Sequence, residues 1–200
     1  MAATELLTLT IAELAPQIQA RQISPVELTE AALAQAERLQ PSLGSFITIL
    51  HDAARQQARE QEAALMRGEY YGPLHGIPIG IKDNIATAGI RTTVGSKVLA
   101  QHVPAEDAEV VRRCKAAGAI IVGKENLEEF AAGPTSNNPI TVRCTTPGSW
   151  TVCQAGRAVA VGPMSRLVSP TPRSAPTWVA LCVCQARSAV WWASSRRSDG

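Results

Sequence analysis

Residues 72–84 read GPLHGIPIGIKDN and lead a short apolar strand to a charged end. Residues 77–81 are wholly apolar and follow Gly76, which is typical of a buried strand. Lys82 follows directly, and ligand sites in α/β sheets form at the carboxyl ends of the strands. Partial desolvation there favours the neutral amine, so Lys82 is a candidate general base.

Two simpler interpretations of this segment stay open from the local pattern. Lys82 can extend from a strand end towards solvent and pair with Asp83, as lysines with long apolar stems commonly do. His75 stands in a glycine-rich stretch, where a histidine is more often a turn residue than a catalytic one.

Helical patterns surround this strand. Thr10 with Glu13 and Ser24 with Glu27 both fit the capping box at a helix start, although Pro16 makes the first helix less secure. We predict a helix over 25–40 that ends at Pro41, one over 51–67 that stops at a glycine, and one over 107–117. Residues 46–50 and 119–122 are further apolar runs that fit short strands.

Helices that alternate with short apolar strands indicate an α/β layer architecture with a buried sheet. The balance of 46% hydrophobic and 18% charged residues excludes a disordered or collagen-like chain. No apolar run is long enough for a membrane span, and Glu5 with no basic start argues against a signal peptide, so we expect a cytoplasmic protein.

Two longer segments carry a family resemblance. GPLHGIPIGIKDNIATAGIRTTVGS, residues 72–96, resembles the lysine-bearing segment of the amidase signature family, whose members hydrolyse amides with a Ser-cisSer-Lys triad. DAEVVRRCKAAGAIIVGKENLEEFAAG followed by TSNNP, within residues 107–139, resembles the segment that comes next. The resemblance covers essentially residues 8–139 and implies the N-terminal part of an α/β/α layered amidase fold.

The resemblance implies a role for Lys82. As the general base of the triad, its neutral amine takes a proton through a bridging serine from the nucleophilic serine, and backbone N–H groups stabilise the oxyanion. A small-molecule amide is the implied substrate, with no cofactor and no metal. Lys82 is therefore our predicted catalytic residue.

Residues 140–200 differ sharply in composition from the rest. Residues 1–139 hold 12 Lys plus Arg against 16 Asp plus Glu, a net charge of −4, whereas residues 140–200 hold seven Arg, no Lys and one acid, a net charge of +6. The second segment also contains all four tryptophans and four of the five cysteines. We divide the chain into residues 1–139, the N-terminal portion of an amidase signature domain, and a non-native tail, residues 140–200.

We interpret this tail as the family's continuation translated in the wrong frame. Shifting the frame by one base makes Trp150 with Thr151 encode Asp, and Trp178 with Val179 encode Gly, whatever synonymous codons are used. With free codon choice elsewhere, a single shift yields strings that contain GGSSGGS and DMGGS, which are similar to the family's serine motifs. A gene read out of frame would also explain the unusual composition.

The restored serines would occupy positions 158 and 181, where this chain has Ala158 and Leu181. We therefore predict a truncated, inactive polypeptide with an irregular tail. The missing continuation should remove strands that pair with those at 77–81 and 119–122 and leave sheet edges and apolar faces uncovered, so the fragment should be marginally stable or aggregate. Cys182 and Cys184 are too close together for the usual metal knuckle.

Two other functions remain as alternatives. NLEEF followed by TSNNP is more similar to free-standing amidases than to the A subunit of glutamyl-tRNA amidotransferase, a runner-up that would bring partner subunits. A non-catalytic α/β module could instead use the arginine-rich tail to bind nucleic acid. The lack of lysine and the Val-Trp-Trp-Ala stretch argue against that module, so we expect no nucleic-acid partner and no membrane partner.

Overall fold

A computed structural model describes residues 3–132 and 138–141 of the chain. Three short strands form one mixed sheet, β1 (Phe46–Ile49), β2 (Pro78–Lys82) and β3 (Ile120–Glu125). Their order is β1-β3-β2, with β3 parallel to β2 and antiparallel to β1. Of the predicted tail, only residues 140 and 141 are described; positions 158 and 181 and the two neighbouring cysteines lie outside the described residues.

Five α-helices and two short 3-10 turns connect and cover these strands in the described part of the chain. The helices are α1 (Ala3–Leu6), α2 (Ile11–Gln19), α3 (Pro25–Leu43), α4 (His51–Met66) and α5 (Glu109–Ala116). The 3-10 turns span Lys97–Leu99 and Glu129–Ala131. No helix among the described residues is long and apolar enough to cross a membrane.

Apolar side chains pack on both faces of the sheet. On one face, Ile79, Ile81 and Ile121 join a cluster with residues of α1, α2, α3 and α5. On the other, Ile120 and Val122 pack with Phe46 and with small side chains of α3 and α4. A strand with apolar residues on both sides is buried between helical layers. The predicted α/β layer architecture is therefore confirmed.

The predicted capping box at Thr10 is formed, whereas at Ser24 only the serine half of the predicted box is observed. The Thr10 hydroxyl accepts from the Glu13 amide, and the Glu13 carboxylate accepts from the Thr10 amide at 2.7 Å, so this capping box is confirmed. Ser24 accepts from the amides of residues 26 and 27, and its hydroxyl donates to Glu62. Helix α2 also continues through Pro16, which removes one backbone donor but leaves the first turn intact.

Several predicted boundaries are wrong. Helix α3 does not end at Pro41 but runs to Leu43, where Gly44 ends it in the left-handed conformation with a φ of 58°. Proline is tolerated there because the break falls in the last turn and because Gln40 bonds both backbone groups of Phe46, at 2.6 and 3.0 Å. Helix α4 is one residue shorter than predicted.

Helix α5 and the strands also differ from the sequence prediction. Helix α5 starts two residues later than predicted because Asp107 lies outside it and accepts from the Ala88 amide. Strand β2 includes Lys82, and β3 extends to Glu125, three residues beyond the predicted end. The expectation of an uncovered edge at β3 is wrong, since β3 pairs with β1 on one side and β2 on the other, whereas β2 pairs with β3 alone among the described residues.

A β-bulge shifts the register within β3. Ile79 pairs with Ile121, but the next residue, Gly80, pairs with Gly123, so Val122 is an extra residue. Such a bulge reverses the faces to which the following side chains point. Residues beyond it are therefore not on the faces that simple alternation would give.

Candidate functional site at the ends of two parallel strands

Lys82 is the last residue of β2, at the carboxyl end where it is expected. It is only partly buried, whereas the four preceding strand residues are buried. Its register partner on β3 is Glu125. The structure thus places the predicted catalytic lysine at a strand end, next to an acid that sequence reasoning did not single out.

Both parallel strands end with the same kind of triplet. Residues 82–84 read Lys-Asp-Asn after β2, and residues 124–126 read Lys-Glu-Asn at the end of β3. The repeat is offset by one position in space, because Ile81 pairs with Lys124 and Lys82 pairs with Glu125. Two lysines and two acids therefore lie together at the carboxyl end of the two parallel strands.

Lys124 is fully buried and holds the segment that follows β2. Its Nζ donates to the carbonyl of Ile85 at 2.6 Å and to the hydroxyls of Thr87 and Thr92 at 3.0 and 2.9 Å. Burial lowers the pKa of Lys124 to about 8, opposed by the attraction of Asp83. Lys124 is thus a structural cation whose three donors are all used.

Asp83 holds the same segment from the other side. Its carboxylate accepts from the amide of Thr93 at 2.8 Å and from the Thr93 hydroxyl at 2.5 Å. Burial raises the pKa of Asp83, and the bonds to Thr93 and the charge of Lys124 oppose that rise. The interpretation in which Asp83 pairs with Lys82 is not the one observed, since Asp83 turns to Thr93 and the cation that acts on it is Lys124.

Glu125 has a different environment from its neighbour on β3. Its side chain is fully buried, and neither carboxylate oxygen has a hydrogen-bond partner among the described residues. Burial raises the pKa of Glu125 well above its ordinary value, while the charge of Lys82 opposes the rise. The acid beside Lys82 is therefore held towards its neutral form.

His75 is a structural residue. Its Nε2 lies 3.0 Å from the Gln61 carbonyl, and its Nδ1 accepts from the Tyr71 amide at 3.4 Å. This pair of contacts requires a proton on Nε2, and the ring is buried against Tyr70 and Tyr71. The preference for a turn residue over a catalytic histidine agrees with these contacts.

Asparagines bring the most distal described residues back to the end of β3. The Asn126 side chain donates to the Gly44 carbonyl at 2.7 Å and accepts from Asn138 at 2.6 Å. Asn138 in turn donates to the Leu127 carbonyl and accepts from the amides of Ile140 and Thr141. Residues 138–141 therefore lie at the same carboxyl end of the sheet as Lys82.

Sequence reasoning found Lys82 but missed Asp83, Lys124 and Glu125 as members of one cluster. A usable signal was present, since the Lys-acid-Asn triplet occurs after two apolar runs that a parallel sheet places side by side. Within residues 3–132 and 138–141, no group of three or more His, Cys, Asp or Glu residues is placed to hold a metal ion. The site offers lysine and carboxyl groups that can transfer protons, together with buried charged side chains.

Comparison with known proteins identifies the family. The sequence matches the family profile described as Amidase over residues 27–153. The chain belongs to the amidase family. The match includes both strand ends and the segment between them, so the cluster described above lies within the amidase homology region.

Individual relatives support the assignment. The chain is 42% identical over 134 residues to the A subunit of the glutamyl-tRNA(Gln) amidotransferase of Carboxydothermus hydrogenoformans, covering 67% of this chain and 28% of that protein. Among solved structures, an amidase matches with a TM-score of 0.67 and 31% identity over 75% of this chain and 34% of its own. The peptide amidase of Stenotrophomonas maltophilia matches with a TM-score of 0.58 and 35% identity, over 64% and 27%.

The chain spans about 27–34% of the length of these relatives. Its N-terminal part has the amidase fold.

Proposed function

We propose that this amidase-family chain carries the lysine-bearing part of a hydrolase that cleaves the C–N bond of a carboxamide, with Lys82 as the general base. The observation that carries the proposal is the position of Lys82, at the open end of a buried strand within the region that matches the family. Ligand sites in α/β sheets form at such strand ends, so the amine of Lys82 is placed where a general base can reach a bound substrate.

The proposed chemistry needs two serines in addition to Lys82. The amine of Lys82 takes a proton from a bridging serine, which takes one from the nucleophilic serine as its oxygen bonds to the amide carbon. The proton then passes to the leaving nitrogen when the C–N bond breaks, and water later releases the acyl group. Backbone N–H groups would stabilise the oxyanion.

The surroundings of Lys82 support a fixed position for its strand end. Asp83 and Lys124 bind the segment that follows β2 through Thr93, Thr87 and Thr92, all of which are buried. Catalytic groups are effective when neighbouring contacts restrict their motion. This network therefore gives the lysine a rigid backbone position.

The serines are the missing part of the proposal. Ala158 and Leu181 stand where the frame-restored sequence would place them, so we propose that the chain as written is inactive and that its gene carries a frameshift near the codons for residues 137–141. Resequencing that region and weighing the intact cellular protein tests this. A confirmed sequence with a 21.2 kDa product supports a frameshift in the gene and an inactive chain. A corrected base that opens the reading frame, together with a much longer protein, contradicts a frameshift in the gene and means an ordinary amidase with both serines restored.

Activity measurements test the role of Lys82. The 200-residue protein should release no ammonia or amine from simple carboxamides, and the frame-restored protein should release it. Lys82→Ala in the restored protein should lower kcat/KM by a factor of about 10²–10⁴, the usual contribution of a general base. Lys97→Ala is the matched control, since Lys97 is an exposed lysine. Equal activity of the two variants would contradict the assignment.

A second candidate is an A-subunit-like component of a tRNA-dependent amidotransferase. The observation that favours it is the identity to curated relatives with that name, which reaches 50% over 127 residues for the Methylococcus capsulatus protein. Purification of the frame-restored protein at its native expression level separates the two proposals. A stoichiometric partner protein would favour the amidotransferase, and an active chain that purifies alone would favour the free-standing amidase.

A further inference from the structure

The unpartnered carboxyl of Glu125 needs a physical reason. The side chain is 0% exposed, and neither oxygen has a hydrogen-bond partner among the described residues. A buried carboxylate without partners is strongly unfavourable, and nearly all buried polar groups in native proteins are bonded. Exceptions of this kind are concentrated at functional sites.

The backbone places Glu125 beside Lys82, with its carboxyl over the strand that carries the lysine. The two residues are register partners on parallel strands, and the bulge at Val122 puts Gly123 and Glu125 on the same face as Gly80 and Lys82. The carboxyl lies directly over Gly80, where a Cβ atom would be 2.2 Å from Oε1 and 2.8 Å from Cδ. A glycine at position 80 therefore provides the space for the acid beside the strand of Lys82.

The other groups around Glu125 do not compensate its charge. Its register partner on β1 is Phe46, whose ring packs over Gly123. Helices α3 and α4 cover this face with apolar side chains. The Arg91 guanidinium reaches β1 but is bound to the Thr48 hydroxyl at 3.0 Å. Among the described residues, Lys82 is the charged group that acts on the carboxyl.

We propose that Glu125 is a positioning residue for Lys82, whose carboxyl, held over Gly80, determines how readily the lysine loses its proton. While Glu125 is a neutral acid, it places no charge beside the amine. When it ionises, its negative charge stabilises the ammonium form of Lys82, and less free amine is available. The inference rests on the proposed general-base role of Lys82, although its test does not require amide hydrolysis.

The test is competitive acetylation of the full 200-residue chain with a trace of acetic anhydride. Mass spectrometry measures the labelling of Lys82 relative to the exposed Lys97, from neutral to alkaline pH. Glu125→Gln removes the ionisable group with little change of shape, and Glu106→Gln removes an exposed acid as the matched control. At alkaline pH, Glu125→Gln should raise Lys82 labelling about tenfold, and Glu106→Gln should not.

Identical labelling curves for Glu125→Gln and the parent would overturn the proposal. If Glu125→Gln does not fold, a second measurement on the parent chain still tests the proposal. The infrared band of a protonated carboxyl should persist above neutral pH, and Gly80→Ala, which places a methyl group where the carboxyl lies, should shift that band. No such band would also overturn it. If Lys82 labelling responds but the frame-restored protein hydrolyses no amide, the coupling stands and the proposed function fails.

Discussion

Replacing Lys124 with methionine tests whether the buried network, rather than apolar packing, holds the segment after β2. The substitution keeps much of the side-chain volume but removes three donated hydrogen bonds, to Ile85, Thr87 and Thr92. It also leaves Asp83 buried without the cation that acts on it. A buried polar group that loses its partner costs about 1–3 kcal/mol, so the three lost bonds should lower the free energy of unfolding by about 3–5 kcal/mol at neutral pH.

The pH dependence of the free energy of unfolding provides a second, independent test of Lys124. The pKa of Lys124 is about 8 in the folded chain and returns to its ordinary 10.5 on unfolding. Between these values the unfolded chain binds more protons, so this residue makes stability rise with pH across that window. Across this window the parent chain should gain about 3 kcal/mol of stability from Lys124, and Lys124→Met should gain none. The stability difference between parent and variant should therefore widen as the pH rises from 8 to 10.5.

Urea unfolding at several pH values, followed by circular dichroism, measures both effects. Lys115→Met is the matched control, because Lys115 bonds Asp107 at 2.6 Å but is 38% exposed, and its loss should cost about 1 kcal/mol or less. The double variant Asp83→Asn with Lys124→Met should be less destabilised than Lys124→Met alone. Equal losses for the Lys124 and Lys115 variants, or a difference that does not change with pH, would refute this account of the network.

Two further substitutions test local features of the fold. Ser24→Ala removes the acceptor for two amides at the start of α3 and should lower the free energy of unfolding by about 1–2 kcal/mol. Thr8→Ala, at an exposed position, should change it little in the same urea titration. Gly118→Ala places a Cβ 3.1 Å from the Cα of His75, at a φ of 79°. It should lower the stability more than Gly68→Ala, where φ is 86° but the space around the residue is open. Equal urea midpoints for these two variants would contradict the packing argument.

Local sequence rules identified most elements because those elements are decided locally. The cap at Thr10, the proline at the start of α3 and the glycine after α5 specify helix ends through contacts within a few residues. The position of Lys82 at a strand end also follows from the apolar run before it. Helix α3 exceeded its predicted length because Gln40 bonds Phe46, a contact that single-helix patterns do not contain.

The buried cluster is harder to predict because its geometry depends on one extra residue. With regular alternation in β3, Glu125 would share a face with Ile121, and Lys124 would share one with Val122. The bulge at Val122 exchanges them, so Lys124 reaches Thr87 and Thr92 while Glu125 lies over Gly80 beside the strand of Lys82. The pairing of strands distant in sequence sets this register. The register decides which of two adjacent charged residues supports the loop and which one lies over the strand of the proposed base.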